Sequence, residues 1–141
     1  MDKAAFDEMN RGVVGEFRAN GGKAGGIFEG KLLVLVHHTG AKSGIERIAP
    51  LVALEDDGRT YIFASKGGAD THPDWYHNIV ANPGITVEIG TETYPATARI
   101  LSGAERDEIY AKQVAVEPQF GEYQAKTERV IPVVELVRAA G

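Results

Sequence analysis

Short β-type runs closed by tight turns constrain this chain more than any other feature. Leu32-Leu33-Val34-Leu35-Val36 is a continuous apolar run, the pattern of a strand buried on both faces. The turn Thr39–Gly44 follows, and a second strand is expected from Ile45 to Leu54. Glu55-Asp56-Asp57-Gly58 predicts a hairpin, because Asp-Gly tolerates the positive φ angles of turns whose twist matches that of paired strands. Thr60–Ala64 reads as the third strand. Ile85, Val87 and Ile89 alternate with Thr86 and Glu88 as in a half-exposed strand, and Gly90-Thr91 turns the chain into another through Tyr94 to Leu101. Val130–Val134 reads as the last, with Pro132 assigning it to an edge or a bulge because proline cannot donate to a ladder.

Helical patterns interrupt the strands. Asp2 to Arg18 carries Phe6, Met9, Val13, Val14 and Phe17 at helical spacing, and Asn20-Gly21-Gly22 stops it. Pro73 suits the first position of a helix capped by Asp70 or Thr71 and ended by Asn82-Pro83-Gly84. Ser102-Gly103-Ala104-Glu105 has the form of a capping box opening a helix through Tyr110 towards Val116. Pro118 breaks that helix, and Gln119 to Lys126 form a further short helical piece. Strands joined mostly by hairpins, with helices inserted between them, imply an α+β antiparallel sheet or barrel rather than a doubly wound fold. One domain is expected, with an N-terminal helix and linker over residues 1–30 and the barrel over 31–141.

At 141 residues and 43% hydrophobic content the chain can bury an ordinary core. A net charge of −5 and a pI near 5.4 argue against nucleic-acid binding, which needs a basic face. Without cysteine, disulfides and thiolate chemistry are excluded. The start, Met1-Asp2-Lys3-Ala4, lacks a signal-peptide pattern, and the run Leu32 to Val36 is too short to cross a bilayer, so a cytoplasmic location is expected. Asp2, Asp7 and Glu8 suit the first helix poorly to anionic lipid, so packing against the barrel is expected of it rather than membrane association.

Against this acidic background Lys42, Arg47 and Lys66 stand beside glycine-opened backbone. Backbone N–H groups plus a few cations are a physical means of holding an anion such as phosphate. A P-loop is excluded, because the glycine positions its lysine requires hold Ala41 and Val36. His37 and His38 are adjacent on a strand and point to opposite faces, so they cannot ligate one metal ion. His72 and His77 fit no zinc motif, and no serine has nucleophile-elbow flanks. No metal is expected. Ser65-Lys66, at a strand end, can reach a ligand but is also what a Gly-rich surface turn contains. Trp75 shares a helical face with Ile79 and Asn82, as a core tryptophan would.

Taken in order, these segments are more specific than any one of them. Thr39-Gly40-Ala41-Lys42-Ser43-Gly44, Arg47, Pro50, Ser65-Lys66-Gly67-Gly68 and His72-Pro73-Asp74-Trp75-Tyr76-His77-Asn78 together resemble the deazaflavin-dependent nitroreductase family, whose members use coenzyme F420. The likeness extends to Glu16–Gly22 and Arg129-Val130-Ile131-Pro132. It implies a split β-barrel related to the flavin-binding barrels of pyridoxamine-phosphate-oxidase type. It further implies an F420-dependent oxidoreductase, passing a hydride to a quinone-like, conjugated-carbonyl or nitroaromatic acceptor, with no protein nucleophile.

By this resemblance Ala41, Lys42, Ser43 and Arg47 would surround the coenzyme phosphate, and Pro50 and Leu51 would shape the wall. Ala64, Ser65 and Lys66 would line the ring and ribityl region, and Trp75, Tyr76 and Asn78 would close the pocket. Ala41 stands where the family commonly has arginine, which implies a weaker grip on phosphate or tail. In Pro118–Tyr123, Phe120 cannot donate a proton, leaving Tyr123 as the better candidate for orienting the acceptor or delivering one, with His37, His38 and His77 as alternatives. An FMN-dependent barrel and a non-catalytic carrier of deazaflavin or haem are the alternatives. The only other partner expected is a second copy in a homodimer, as in related flavin barrels.

Overall fold

In the computed structural model, which describes residues 2–139, helix α1 (Lys3–Ala19) precedes strands β1 (Leu33–Thr39), β2 (Glu46–Asp56) and β3 (Arg59–Phe63). Helix α2 (Asp74–Ala81), strands β4 (Gly84–Ile89) and β5 (Glu92–Ile100), helices α3 (Gly103–Val116) and α4 (Gln119–Ala125) and strand β6 (Val133–Arg138) follow. The strands close into an antiparallel barrel in the order β1-β2-β3-β6-β5-β4, the split-barrel architecture with inserted helices that the sequence implies.

Strand alternation explains what each face buries. Along β1, Val34 and Val36 point into the barrel with Ala49, Ala53, Ile62, Val87, Ala96 and Val134, and the interior is filled by these side chains. Leu33 and Leu35 point outward and are covered by Phe17 of α1, with Val13, Val14 and Ile48 against them. This double cover is why β1 reads as an unbroken apolar run. A second apolar cluster joins Tyr61, Phe63, Ile109, Tyr110, Phe120 and Ile131, seating α3 and α4 against β3.

Helix α1 is capped by Asp2, whose carboxylate accepts from Ala5 N at 2.7 Å, and only its C-terminal half packs on the barrel. Phe17 is buried, whereas Phe6 and Met9 near the start are exposed. Arg18 bolts the packed end down through paired bonds to Glu88 at 3.0 and 2.7 Å. Glu88 also meets His37 Nε2 at 2.6 Å, and His37 Nδ1 meets Glu46 at 2.8 Å. The bond from Arg18, more than the one from His37, holds the Glu88 carboxyl below its ordinary pKa. This network explains how Glu88, expected on an exposed face, comes to be buried.

Three local expectations are corrected. The last strand begins at Val133, after Pro132. In a closed barrel it has no edge, and Gln124 occupies the backbone just before it by donating to Arg129 O and accepting from Ile131 N. Pro73 is the cap residue of α2 rather than its first turn, and Thr71 accepts from Lys66 instead of capping. Ser102 does cap α3, but its side chain makes no capping bond, and Glu105 is held by Arg99 at 2.7 and 3.0 Å. The hairpin at Asp57-Gly58 forms as expected, with φ of 52° and 76°.

At Gly22, φ is +97° and an added Cβ would lie 2.5 Å from the Gly90 backbone, where the linker after α1 crosses the β4–β5 turn. Gly22→Ala is therefore expected to destabilise the fold by about 2 kcal/mol or more. Gly12, within α1 with open space around it, is a control: Gly12→Ala should stabilise by about 0.5–1 kcal/mol. Chemical denaturation of the two variants measures both, and equal effects would contradict this packing.

Candidate functional site

Strand direction gathers the candidate residues. β1 is antiparallel to β2 and β2 to β3, so β1 and β3 finish at the same end of the barrel. β4 and β6 begin there, because β4 pairs antiparallel with β1 and β6 with β3. The β1–β2 turn, the connection from β3 through α2 to β4, and the connection from β5 through α3 and α4 to β6 therefore share one rim. The two-residue hairpins at Asp57-Gly58 and Gly90-Thr91 lie at the other end.

The β1–β2 turn is closed by Gly40 N to Ile45 O at 2.9 Å and Gly44 N to Gly40 O at 3.0 Å. A Cβ at Gly40 would sit 2.3 Å from Ser43 Oγ and would displace that hydroxyl. That oxygen accepts from Ile45 N at 3.2 Å. Asn78 of α2 ties the turn to the barrel: Oδ1 accepts from Ala41 N at 3.0 Å, which leaves Nδ2 to donate to His38 Nδ1 at 3.0 Å. Asn82, one turn on, donates to Thr39 O at 3.3 Å. At position 41 the structure thus uses the backbone rather than the side chain. Lys42 and Arg47 are exposed, and neither has a carboxylate partner among the described residues.

After β3 the backbone turns sharply. Ser65 is in the right-handed helical region, and Lys66, Gly67 and Gly68 follow with φ of 47°, 63° and 85°. A right-handed residue followed by a left-handed one aims successive N–H groups into one concavity suited to an anion. Lys66 Nζ donates to Thr71 Oγ1 at 3.0 Å. Gly68 lies under α4, where a Cβ would fall 2.8 Å from Tyr123 O. Tyr123 is half-buried, its ring 5.2 Å from that of Phe120.

Arg129, to which sequence reasoning gave no role, reaches the loop from beyond α4. It donates to Ala69 O at 2.7 Å, Ser65 O at 2.8 Å and Ala64 O at 3.1 Å, and lies 3.1 Å from His72 Nδ1. Burial chiefly, then the Arg129 and His77 charges, lowers the His72 pKa. His72 packs against Tyr76 with ring centroids 4.7 Å apart and planes tilted by 46°, and burial raises the Tyr76 pKa. No spacing in the sequence points from Arg129 to residues some sixty positions earlier.

Not every expected residue meets the others. Leu51 pairs with Val34 on the interior face, whereas Pro50 pairs with Leu35 on the outer face, so the two cannot shape one wall. Trp75 is buried in the barrel core with Ile79, and Ala64 is wholly buried there. Among the described residues no group of three or more His, Asp or Glu is placed to hold a metal, and no helix is long and apolar enough to cross a membrane.

An antiparallel six-stranded closed barrel with helices inserted between its strands, and with exposed cations and an anion-suited backbone turn at one rim, is a split-barrel protein. A sequence model of the F420H(2)-dependent quinone reductase family matches residues 9–138. The chain is 36% identical over 108 residues to an F420H(2)-dependent quinone reductase of Mycobacterium tuberculosis, covering 74% of this chain and 72% of the relative. A solved F420-H2 dependent reductase is 45% identical, with a TM-score of 0.68 over 74% of this chain and 92% of its own. A solved domain-swapped dimer is 36% identical, with a TM-score of 0.71 over 96% of this chain and 99% of its own. The chain belongs to the F420H(2)-dependent quinone reductase family. It is accordingly an F420-dependent oxidoreductase with coenzyme F420 as its cofactor, rather than an FMN enzyme or a haem carrier.

Burial, reinforced by the Arg47 charge, pushes the His38 pKa down from 6.5 to about 4. Asp74 and Glu46 act against this shift, and His37 with it. The unfolded chain thus takes up this proton first, and stability should fall as pH drops from 6.5 to 4, by up to about 3 kcal/mol. Protonation also places a donor on Nδ1 opposite the Asn78 amide, loosening the β1–β2 turn. His38→Gln should flatten this part of the profile. Urea unfolding at pH 7 and pH 4.5 tests it, and an equal pH dependence in the two proteins would refute it.

Proposed function

We propose that the rim binds F420 through Lys42, Arg47 and the Ser65–Lys66 backbone, and that the protein reduces a quinone-like or conjugated-carbonyl acceptor. One observation carries the reading. In a chain of net charge −5, Lys42, Arg47 and Lys66 share one rim and none is neutralised by a carboxylate of the described residues. Elsewhere most arginines are committed, as Arg18 is to Glu88 and Arg99 to Glu105 and Glu135. Unneutralised cations on an acidic protein favour a ligand that brings several negative charges, as a phosphate with a glutamyl tail does.

The residues present fit that ligand. Lys42 and Arg47 would hold the phosphate, with Ser43 Oγ and Ala41 in the turn beside it. The Ser65 and Lys66 amides would face the polar edge of the ring system, and Tyr76 and Asn78 would flank it. Trp75 would act from within the core, fixing the helix that carries those two. Of the wall residues, Leu51 packs in the barrel interior opposite Val34 and Pro50 lies on the outer face opposite Leu35, so neither is given a place at the rim. When bound, the reduced coenzyme supplies a hydride.

An acceptor that gains a hydride on carbon leaves charge on oxygen, and Tyr123 Oη is the group proposed to orient that oxygen and hold the proton it needs. Assembly as a homodimer is proposed by likeness to the domain-swapped relative, with residues 1–30 acting as a helix and linker outside the barrel unit 31–141.

Fluorescence titration with F420 tests the reading. Micromolar binding is expected, weakened about tenfold or more by Lys42→Ala or Arg47→Ala, since a hydrogen bond to a charged group contributes about 1.5–3 kcal/mol. Turnover with a quinone, an enone and a nitroaromatic should be fastest with the quinone, and Tyr123→Phe should lower kcat with F420 affinity retained. Absence of F420 binding, or indifference to both cation substitutions, would defeat the proposal.

A further inference from the structure

Arg129 engages all three of its guanidinium nitrogens with backbone carbonyls and one histidine. Its acceptors at Ala64 and Ser65 belong to consecutive peptide units, whose N–H groups are those of Ser65 and Lys66. In a trans peptide the C=O and N–H point in opposite directions. Holding the Ala64 and Ser65 carbonyls towards Arg129 therefore turns the Ser65 and Lys66 amides away from it. Neither amide hydrogen-bonds another group of the described residues.

The third bond, to Ala69 O, closes the far end of the loop. Between these ends Lys66 adopts a φ of +47°, a conformation that a residue with a side chain keeps only where its surroundings impose it. Gly68, packed under the Tyr123 backbone, fixes the other side.

We infer that Arg129 is a positioning residue, whose three carbonyl bonds aim the Ser65 and Lys66 amides at the ligand and hold that loop against the helix bearing Tyr123. The consequence for cofactor affinity rests on the proposed binding of F420 at the rim; the consequence for the loop does not. Lysine at this position keeps a positive charge but lacks the planar fork that spans several acceptors at once, so it cannot replace the arginine.

The test uses the full chain with Arg129→Lys and, as a second variant, Arg129→Gln. Without cofactor, the Gly68 and Ala69 amides, which donate to Ser65 O and Lys66 O, should exchange with deuterium about tenfold faster or more, while those of β1 and β4 keep their rates. With cofactor, KM for reduced F420 should rise about tenfold or more, as for the loss of other groups that orient a ligand-binding residue, with KM for the quinone unchanged. Lys42→Ala separates the two effects, since it should weaken F420 while leaving Gly68 and Ala69 exchange as in the wild type. Exchange at these amides within about twofold of wild type in both variants would overturn the inference. If the wild type fails to bind F420, the cofactor reading falls, and the exchange measurement still decides the role of Arg129.

Discussion

Closure of the sheet is the constraint on which the rest of this structure depends. Once β3 pairs with β6 and β1 with β4, no strand edge remains, and alternate strands must run in opposite directions around the ring. A small closed barrel is filled by its own side chains, here Val34, Val36, Ile62, Val87 and Val134 among others. The helix-bearing connections emerge at one end, and the proposed cofactor site lies there, on turns and helix residues.

The rim divides its polar groups between fasteners and free charges. Asn78 and Arg129 are fasteners: one joins the β1–β2 turn to His38, the other ties the Ser65–Ala69 loop to the segment before β6. Both act on backbone, so they set geometry without cancelling charge. Glu88 is engaged with Arg18 and His37, and Glu135 with Arg99. Lys42, Arg47 and Lys66 meet no carboxylate at ion-pair distance among the described residues, although Asp70 and Asp74 lie on the same connection. The same separation explains the His38 pKa: a buried imidazole beside Arg47 is best left neutral, and neutral it can accept from Asn78.

Much of the fold was legible, for local reasons. The double-sided apolar run of β1, the Asp57-Gly58 hairpin and the break at Pro118 all follow from periodicity or from backbone preferences of single residues. Two departures share a cause, a long-range contact that no local pattern records. Glu105 was expected to close a capping box, and Arg99 took it. Pro132 suggested an edge strand, and the barrel has none. Pro50 and Leu51 alternate across β2, as the period-two rule by itself indicates. Trp75 is core, as its helical face suggested.

The sequence by itself determined which segments become strands and helices, which turns need glycine, and that cations collect in an acidic chain. These are short-range matters, settled by side-chain periodicity and φ preferences within a few residues. Only the tertiary structure decided that the Thr39–Gly44 turn and the Ser65–Gly68 loop share a rim, that Asn78 is the hinge between turn and helix, and that Arg129 aims the amides of a loop over sixty residues away. Such bonds join groups that become neighbours only when the sheet closes, and no local pattern records which donor will meet which carbonyl.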